Sequence, residues 1–389
     1  MPVMTTLPEK PHLAKRRPFG RGPAVSPFTL GTMRATGSAK QMAEVLDAAL
    51  AAGINHIETA PAYGAAEQHL GTALDQLLQR DPAAHQQLVV TSKLLPGVGL
   101  ETGQQQLRAI VKRLGLQQLH NLAVHGLNRE EHLHWACQGE GAQLLQWAVG
   151  EGLVLQVGFS SHGSNTLIER ALASGCFQFC SLHLHLFDQT RLPLAQAAQK
   201  QGLGVLAISP ADKGGRLYAP SNELLEDCQP FHPLELAYRF LLGMGISSLT
   251  LGAEQASDLD WAARISATSL TLNPAQQQVL SRMHQAGQSR LGNTACGQCR
   301  QCLPCPNEVP IPELLRLRNL TVGHGMQAFA EERYNLIGRA GHWWEEINAS
   351  ACQQCGDCLP RCPHQLAIPD LLADTHRRLA AAPRRRLWG

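Results

Sequence analysis

No stretch of this 389-residue chain offers the ~20 uncharged apolar residues that a membrane-spanning helix requires. Its first residues carry no apolar leader, because Pro2, Glu9, Lys10 and Lys15 interrupt them. A cytoplasmic protein is the expectation. An excess of one charge is also missing: 33 Lys and Arg stand against 31 Asp and Glu, a formal net charge of +2. No whole-protein field then advertises nucleic acid or a membrane surface as the partner. Basic runs are local, KRRPFGR from Lys15 and PRRRLWG from Pro383, and read as solvated flexible tails. Missing too is a G-x-G-x-x-G turn after any candidate strand, which counts against the doubly wound open sheet as the runner-up architecture.

What the chain does have is alternation. Between about Phe28 and Ala286, short apolar or β-branched runs (FTLGTM, INHIETA, LVVTSKL, LHNLAVHG, LVLQVGFSS, FCSLHLHLF, LGVLAISP, ISSLTLG) take turns with stretches of helical period. AKQMAEVLDAALAAG from Ala39 and ETGQQQLRAIVKRLG from Glu101 carry apolar residues at i, i+3, i+4 and i+7 and close on Gly. About eight strands and eight helices over roughly 260 residues is what a (β/α)8 TIM barrel requires, an α/β fold. Catalytic groups of such a barrel belong at the C-terminal ends of its strands. Glu58 closes the second candidate strand, with Tyr63 in the loop after it; Lys93 closes the third and His125 the fourth. Taken singly, each has a plain structural reading as a packing aromatic, a solvated strand end or a barrel-mouth histidine. Taken together they make a proton-transfer set. A phenol with a pKa near 10 is a poor acid at neutral pH. A neighbouring ammonium lowers that pKa, a carboxylate holds the ammonium, and a histidine steers a carbonyl oxygen.

ETAPAYG followed by Glu67 and Gly71, then TSKL, LAVHG, VGFSSHG and ISPADKGGRL, resembles the aldo/keto reductase family in order and spacing. The resemblance implies carbonyl reduction by NADP or NAD in its reduced form, with Tyr63 as the acid, Lys93 modifying its pKa, His125 orienting the substrate and Glu58 as the carboxylate. Two departures stand out. The family's Asp is Glu58 here, one methylene longer. Beyond the eighth strand, GAEQASD from Gly252 puts Glu254 near the place of the family's basic residue, and a carboxylate repels a 2′-phosphate but accepts hydrogen bonds from a ribose hydroxyl. NADH preference, or loss of nucleotide binding, follows as an expectation. Further implied cofactor contacts are Ser160 and Ser161 at the carboxamide, Ser181 near the family's Gln, and Ser209, Lys213, Gly214 and Gly215 for a pyrophosphate.

Twelve cysteines are present, and eight of them form two runs. CGQCRQCLPCP holds Cys296, Cys299, Cys302 and Cys305; CQQCGDCLPRCP holds Cys352, Cys355, Cys358 and Cys362. In a reducing compartment, clustered cysteines point to metal or redox chemistry before disulfides. C-x2-C-x2-C-x3-C-P matches the bacterial ferredoxin run, in which three close thiolates hold one [4Fe–4S] cluster and the fourth reaches the other. By that logic Cys296, Cys299 and Cys302 pair with Cys362, and Cys352, Cys355 and Cys358 with Cys305. A four-thiolate zinc site is the alternative. The repeat continues: CPNEVPIPELL and CPHQLAIPDLL share Ile-Pro-acid-Leu-Leu at identical spacing, a helix start. Trp343 and Trp344 in the insert read as packing residues. Cys137, Cys176, Cys180 and Cys228 read as buried apolar residues or surface thiols.

A barrel followed by such a segment resembles the iron–sulfur branch of the aldo/keto reductases. The expected organisation is a flexible basic segment (1–27), a barrel (28–286), a mainly helical ferredoxin-type two-cluster domain (287–376) and a basic tail (377–389). Nicotinamide delivers two electrons at once while each cluster accepts one, and no flavin signature is legible to divide the pair. An oxidoreductase whose clusters communicate with an external redox carrier is the favoured reading. A redox-sensing or electron-carrier protein with a degenerate barrel is the other. His162, His183 and His185 line the pocket or pack the barrel, and the small-molecule substrate is not named by the sequence.

Overall fold

The computed structural model describes residues 15–211, 216–337 and 347–381. Strands β1 (Phe28–Gly31), β2 (His56–Glu58), β3 (Val89–Leu94), β4 (Leu119–Val124), β5 (Val154–Ser161), β6 (Phe179–His183), β7 (Gly204–Ile208) and β8 (Ser248–Gly252) close into a barrel in sequence order. Every pairing is parallel, including β1 with β8. Parallel neighbours need crossover connections, and the amphipathic stretches supply them. The helix Ala39–Ala51 buries Met42, Val45, Leu46 and Ala49, the i, i+3, i+4, i+7 stripe, and Ser38 caps it by accepting from the Gln41 N–H. Strands covered by helices outside and filled by side chains inside have no wet face, so all six residues of β3 are buried.

The KRRPFGR run is not a solvated tail. Arg17 and Val25 exchange backbone hydrogen bonds of 2.8 and 2.9 Å, and Phe19 and Val25 are fully buried. They pack with Val89 and Phe179, the first residues of β3 and β6, so this short hairpin closes the N-terminal end of the barrel. Burial of the Phe19 ring is what overrides the basic composition. A Cβ on Gly204 would lie 2.5 Å from that ring, so the first residue of β7 has to be small. The charged ends are tied as well: Arg16 donates to the Gly53 carbonyl at 2.9 Å and Arg17 to that of Leu242 at 3.1 Å. At the other end, Arg377 and Arg378, expected in a basic tail, belong to the helix Ile368–Leu379 and pair with Asp374, while residues 382–389 lie outside the described residues.

Above the plug runs a belt of buried polar side chains that hydrophobic periodicity does not reveal. Ser248, Thr29, His56, Thr91, Asn121 and Gln156 join in a chain of contacts between 2.6 and 2.9 Å, spanning β8 and β1 to β5. Gln156 finishes it by donating to the Phe19 carbonyl (3.0 Å) and accepting from the N–H groups of Arg21 and Gly22 (2.8 and 3.1 Å). Burial, with help from the nearby His120 charge, pushes the His56 pKa down to about 3, so its imidazole is neutral at physiological pH.

The chain divides into two compact units, one of residues 1–215 and 237–272, the other of 216–236 and 273–389. The boundary expected at residue 287 falls inside the helix Pro274–Leu291, which belongs with the second unit. In that unit the two Ile-Pro motifs open the helices Ile311–His324 and Ile368–Leu379, each with Pro in its first turn and an acid beside it. Arg318 of the first reaches Asp374 of the second at 2.8 Å, with side chains 8% and 13% exposed.

Two outcomes follow. Gln156→Ala leaves several buried groups unpaired at once and is expected to cost about 2–4 kcal/mol in urea unfolding of the barrel, an unchanged midpoint being the contrary result. Asp374→Ala strands the Arg318 guanidinium and is expected to cost about 3 kcal/mol. Arg318→Ala leaves Asp374 with Arg377 and Arg378 and costs less, both variants being compared with the native protein by thermal unfolding.

Candidate functional site

Three adjacent strands deliver the polar set to the C-terminal mouth of the barrel. Glu58 is the last residue of β2, Lys93 the penultimate residue of β3, and His125 follows β4 directly. Tyr63 comes back over them on the loop after β2, whose turn closes with the Tyr63 N–H on the Ala60 carbonyl at 3.0 Å. Lys93 Nζ donates to the Tyr63 hydroxyl at 2.5 Å and stands 2.6 Å from Glu58 Oε1. The ammonium and carboxylate side chains are 3% and 4% exposed. The Lys93–Glu58 contact is a close ion pair between two buried groups. The extra methylene of Glu58 does not prevent this pairing. The His125 ring meets the Tyr63 ring edge-on, with centroids 5.7 Å apart and an interplanar angle of 89°.

Burial works to discharge Lys93, but the Glu58 carboxylate and the Tyr63 phenol outweigh it, and its pKa ends above the ordinary lysine value. Tyr63 departs from the sequence expectation. Lys93 does pull the phenol pKa down, yet burial, reinforced by the Glu58 charge, pulls harder and leaves it above the ordinary tyrosine value. The phenol therefore keeps its proton at neutral pH.

Glu67 is a supporting residue that the sequence marked only as part of a motif. It is 1% exposed, accepts from the Ser92 hydroxyl at 2.5 Å and pairs with Arg113 at 2.8 Å. Its carboxylate thereby ties the residue next to Lys93 to two barrel helices.

The remaining predicted contacts lie at the ends of β5 to β8. Ser160 accepts from the Gly126 N–H at 3.0 Å, and Ser161 donates to the Leu127 carbonyl at 2.6 Å, so both hydroxyls brace the loop after β4. Ser181 is different: it is 1% exposed and its hydroxyl has no hydrogen-bond partner among the described residues. A buried orphan hydroxyl at a barrel mouth suits a bound polar group such as a carboxamide. Ser209 follows β7 with a left-handed φ of 56°. Lys213, Gly214 and Gly215 lie outside the described residues, as do Trp343 and Trp344. Gly252 ends β8, and the Glu254 side chain is exposed while its N–H donates to Asp258 at 2.8 Å.

A cation that spacing could not predict comes from across the β1–β8 closure. The Cδ of Arg34, after β1, lies 3.2 Å from where a Cβ on Gly252 would stand. His162 and His183 bring their Nε2 atoms within 3.4 Å, and the His183 and His185 rings are 6.5 Å apart. The three expected histidines thus gather at the ends of β5 and β6.

In the second unit the cysteines surround two cavities. One is lined by Cys296, Cys299, Cys302 and Cys362; the other by Cys305, Cys352, Cys355 and Cys358. The rest of each lining is largely apolar, including Leu315 and Ile368 in the first and Ile311 and Leu372 in the second. Among the described residues no three His, Cys, Asp or Glu side chains converge as ligands of a single ion. Gln298 donates to the Cys296 sulfur at 3.3 Å, and Asn319 pins that loop through both backbone groups of Cys296. Burial pushes the Cys302 thiol up to about 11 and raises Cys296 and Cys358 as well, so cluster ligation has to displace these protons. The repeat extends to the backbone: Gln298 and Gln354, Arg300 and Gly356, Glu308 and Gln365 all have φ between 52° and 84°.

Comparison with known proteins agrees with this geometry. The profile of the aldo/keto reductase family matches residues 27–236, and that of a 4Fe-4S dicluster domain matches residues 295–368. An aldo-keto reductase from Mycolicibacterium vanbaalenii is 27% identical over 51% of this chain and 68% of its own length. A 6-dehydroglucose reductase from Novosphingobium aromaticivorans is 29% identical over 56% of this chain and 75% of its own. Among solved structures, an aldo-keto reductase from Bacillus halodurans superposes with a TM-score of 0.56 at 19% identity, covering 69% of this chain and 95% of that one. One from Brucella melitensis gives 0.52 at 19% identity over 67% and 95%. These structural likenesses speak for the (β/α)8 fold. The chain belongs to the aldo/keto reductase family and is an oxidoreductase carrying a 4Fe-4S dicluster domain after its barrel.

Proposed function

We propose that the barrel binds reduced nicotinamide nucleotide and a small carbonyl compound at its mouth, and that two [4Fe–4S] clusters pass electrons to or from an external redox carrier. The observation that carries the reading is the buried Lys93, bridging a phenol and a carboxylate beside His125, on the same chain as two cavities each ringed by four cysteines.

In this reading Tyr63 donates its proton to the carbonyl oxygen and His125 orients that oxygen. Lys93 carries the charge that stabilises the phenolate left behind, and Glu58 holds Lys93 in place. The nucleotide, when bound, supplies the hydride. Ser181 has the free hydroxyl for its carboxamide, Ser160 and Ser161 shape the adjacent loop, and Ser209, Lys213, Gly214 and Gly215 form the loop assigned to its pyrophosphate. At the adenosine end, Glu254 after Gly252 disfavours a 2′-phosphate, while Arg34 brings positive charge near the same strand end; NADH is the preferred donor. The compound named in one relative, 6-dehydroglucose, belongs among the first carbonyl substrates to assay.

The cavities fit the clusters by donor chemistry: four sulfurs set among largely apolar side chains, three from one run and the fourth from the other. Cys296, Cys299, Cys302 and Cys362 would hold one cluster; Cys352, Cys355, Cys358 and Cys305 would hold the second. Each cluster accepts one electron while a hydride carries two, so exchange between nucleotide and clusters runs through the external redox carrier, a flavin-type group able to divide the pair.

Anaerobically purified protein titrated with NADH and NADPH, with cluster absorbance and EPR followed, tests the coupling. With a flavin mediator added to divide the hydride's electron pair, bleaching by either nucleotide is expected; absence of nucleotide binding would sink the reductase reading. Tyr63→Phe is expected to slow carbonyl reduction by ~10²–10⁴-fold with iron content unchanged. Since the raised pKa keeps Tyr63 protonated, reduction by the native protein should be flat through neutral pH and decline only above about 10. A decline centred near neutrality would remove Tyr63 from the role. Cys362→Ala is expected to leave about four of about eight irons per chain.

A further inference from the structure

The internal repeat lets the two cysteine cavities be compared position by position. Each is lined by one arginine, Arg300 in the first and Arg361 in the second. Both guanidiniums are engaged: Arg300 pairs with Glu313, and Arg361 donates to the carbonyls of Asp357 and Pro304 at 2.8 and 3.0 Å. Both runs also place a glutamine two residues after their first cysteine, Gln298 and Gln354. Neither feature sets the cavities far apart.

The residue two places after the exchanged cysteine does. Cys362 brings His364 to the first cavity, whereas Cys305 brings Asn307 to the second. The position after the first cysteine of each run changes in the opposite sense. A Cβ on Gly297 would lie 2.4 Å from His364 Nε2, so the imidazole stands where a side chain at 297 would be. The equivalent residue is Gln353, which lines the second cavity with Asn307. Small with large in one half, and the reverse in the other, is a volume exchange that seats a ring at the rim of the first cavity alone.

We propose that His364 makes the two clusters electronically inequivalent, raising the reduction potential of the one held by Cys296, Cys299, Cys302 and Cys362. The inference rests on the reading that these cavities hold [4Fe–4S] clusters. A reduced cluster carries one more negative charge than an oxidised one, so an N–H donor beside its sulfurs favours reduction. Imidazole carries an N–H in either tautomer and donates more strongly than a carboxamide. Gly297 acts through the space it leaves and is a positioning residue.

The test is an EPR-monitored potentiometric titration of the full-length holoprotein, with iron and sulfide determined on the same samples. His364→Phe keeps a ring and removes the N–H. It is expected to lower the higher of the two midpoint potentials by about tenfold in the one-electron equilibrium constant, about 59 mV, while the lower one stays. Gly297→Ala should displace the ring and shift the same potential in the same direction. His364→Gln, which retains an N–H donor, should recover part of the loss. Unmoved potentials in His364→Phe with about eight irons per chain, equal movement of both, or movement of the lower one alone would each overturn the role of His364. Native holoprotein with fewer than two clusters would overturn the cluster reading itself, and the inference with it.

Discussion

An ammonium group shut away from water has to be answered where it stands, and at the mouth of this barrel everything near Lys93 does so. Its side chain is 3% exposed, too little for solvent to share the charge, so the Glu58 carboxylate and the Tyr63 hydroxyl carry the compensation. Glu58 does so from the end of β2 and Tyr63 from the loop that follows it, which holds that loop over the site. The Glu67 brace acts one residue away on β3, through Ser92. A charge that cannot leave therefore organises two strands, a loop and a helix, and Tyr63 inherits its position from that demand.

Beneath it the belt from Ser248 to Gln156 performs a comparable task without charge. Hydroxyls, a neutral imidazole and carboxamides satisfy one another across six strands, and the last of them fastens the hairpin that closes the barrel floor. Because interiors tolerate a polar network only when its members are paired, the belt constrains strand register as well as packing. The mouth is built on a floor whose hydrogen bonds are already committed.

The order of the strands, the helices between them and the four residues at the strand ends were legible in the chain, because each rests on local period and on where a run stops. The cysteine sets were legible for a related reason: ligand spacing is a local property, and the repeat after each Cys-Pro step marks the partner half. What could not be read depends on closure. The belt gathers single residues from strands far apart in sequence, and Arg34 meets Gly252 only because β1 pairs with β8. Phe19 turned a basic run into a plug, since a buried ring outweighs the tendency of its neighbours to stay wet. The proton affinity of Tyr63 went the other way from expectation because composition shows which charges are near but not how much water is gone.

The crossing of one cysteine from each run into the other's cavity also bears on how the protein is made. Neither run lines a cavity alone: Cys362 of the second run stands with the three cysteines of the first, and Cys305 of the first with three of the second. A ribosome that has released only the first run has exposed an unfinished lining. Each cavity therefore takes shape only when both runs are present, and a truncation after Cys358 removes one of the four cysteines from the lining of the first.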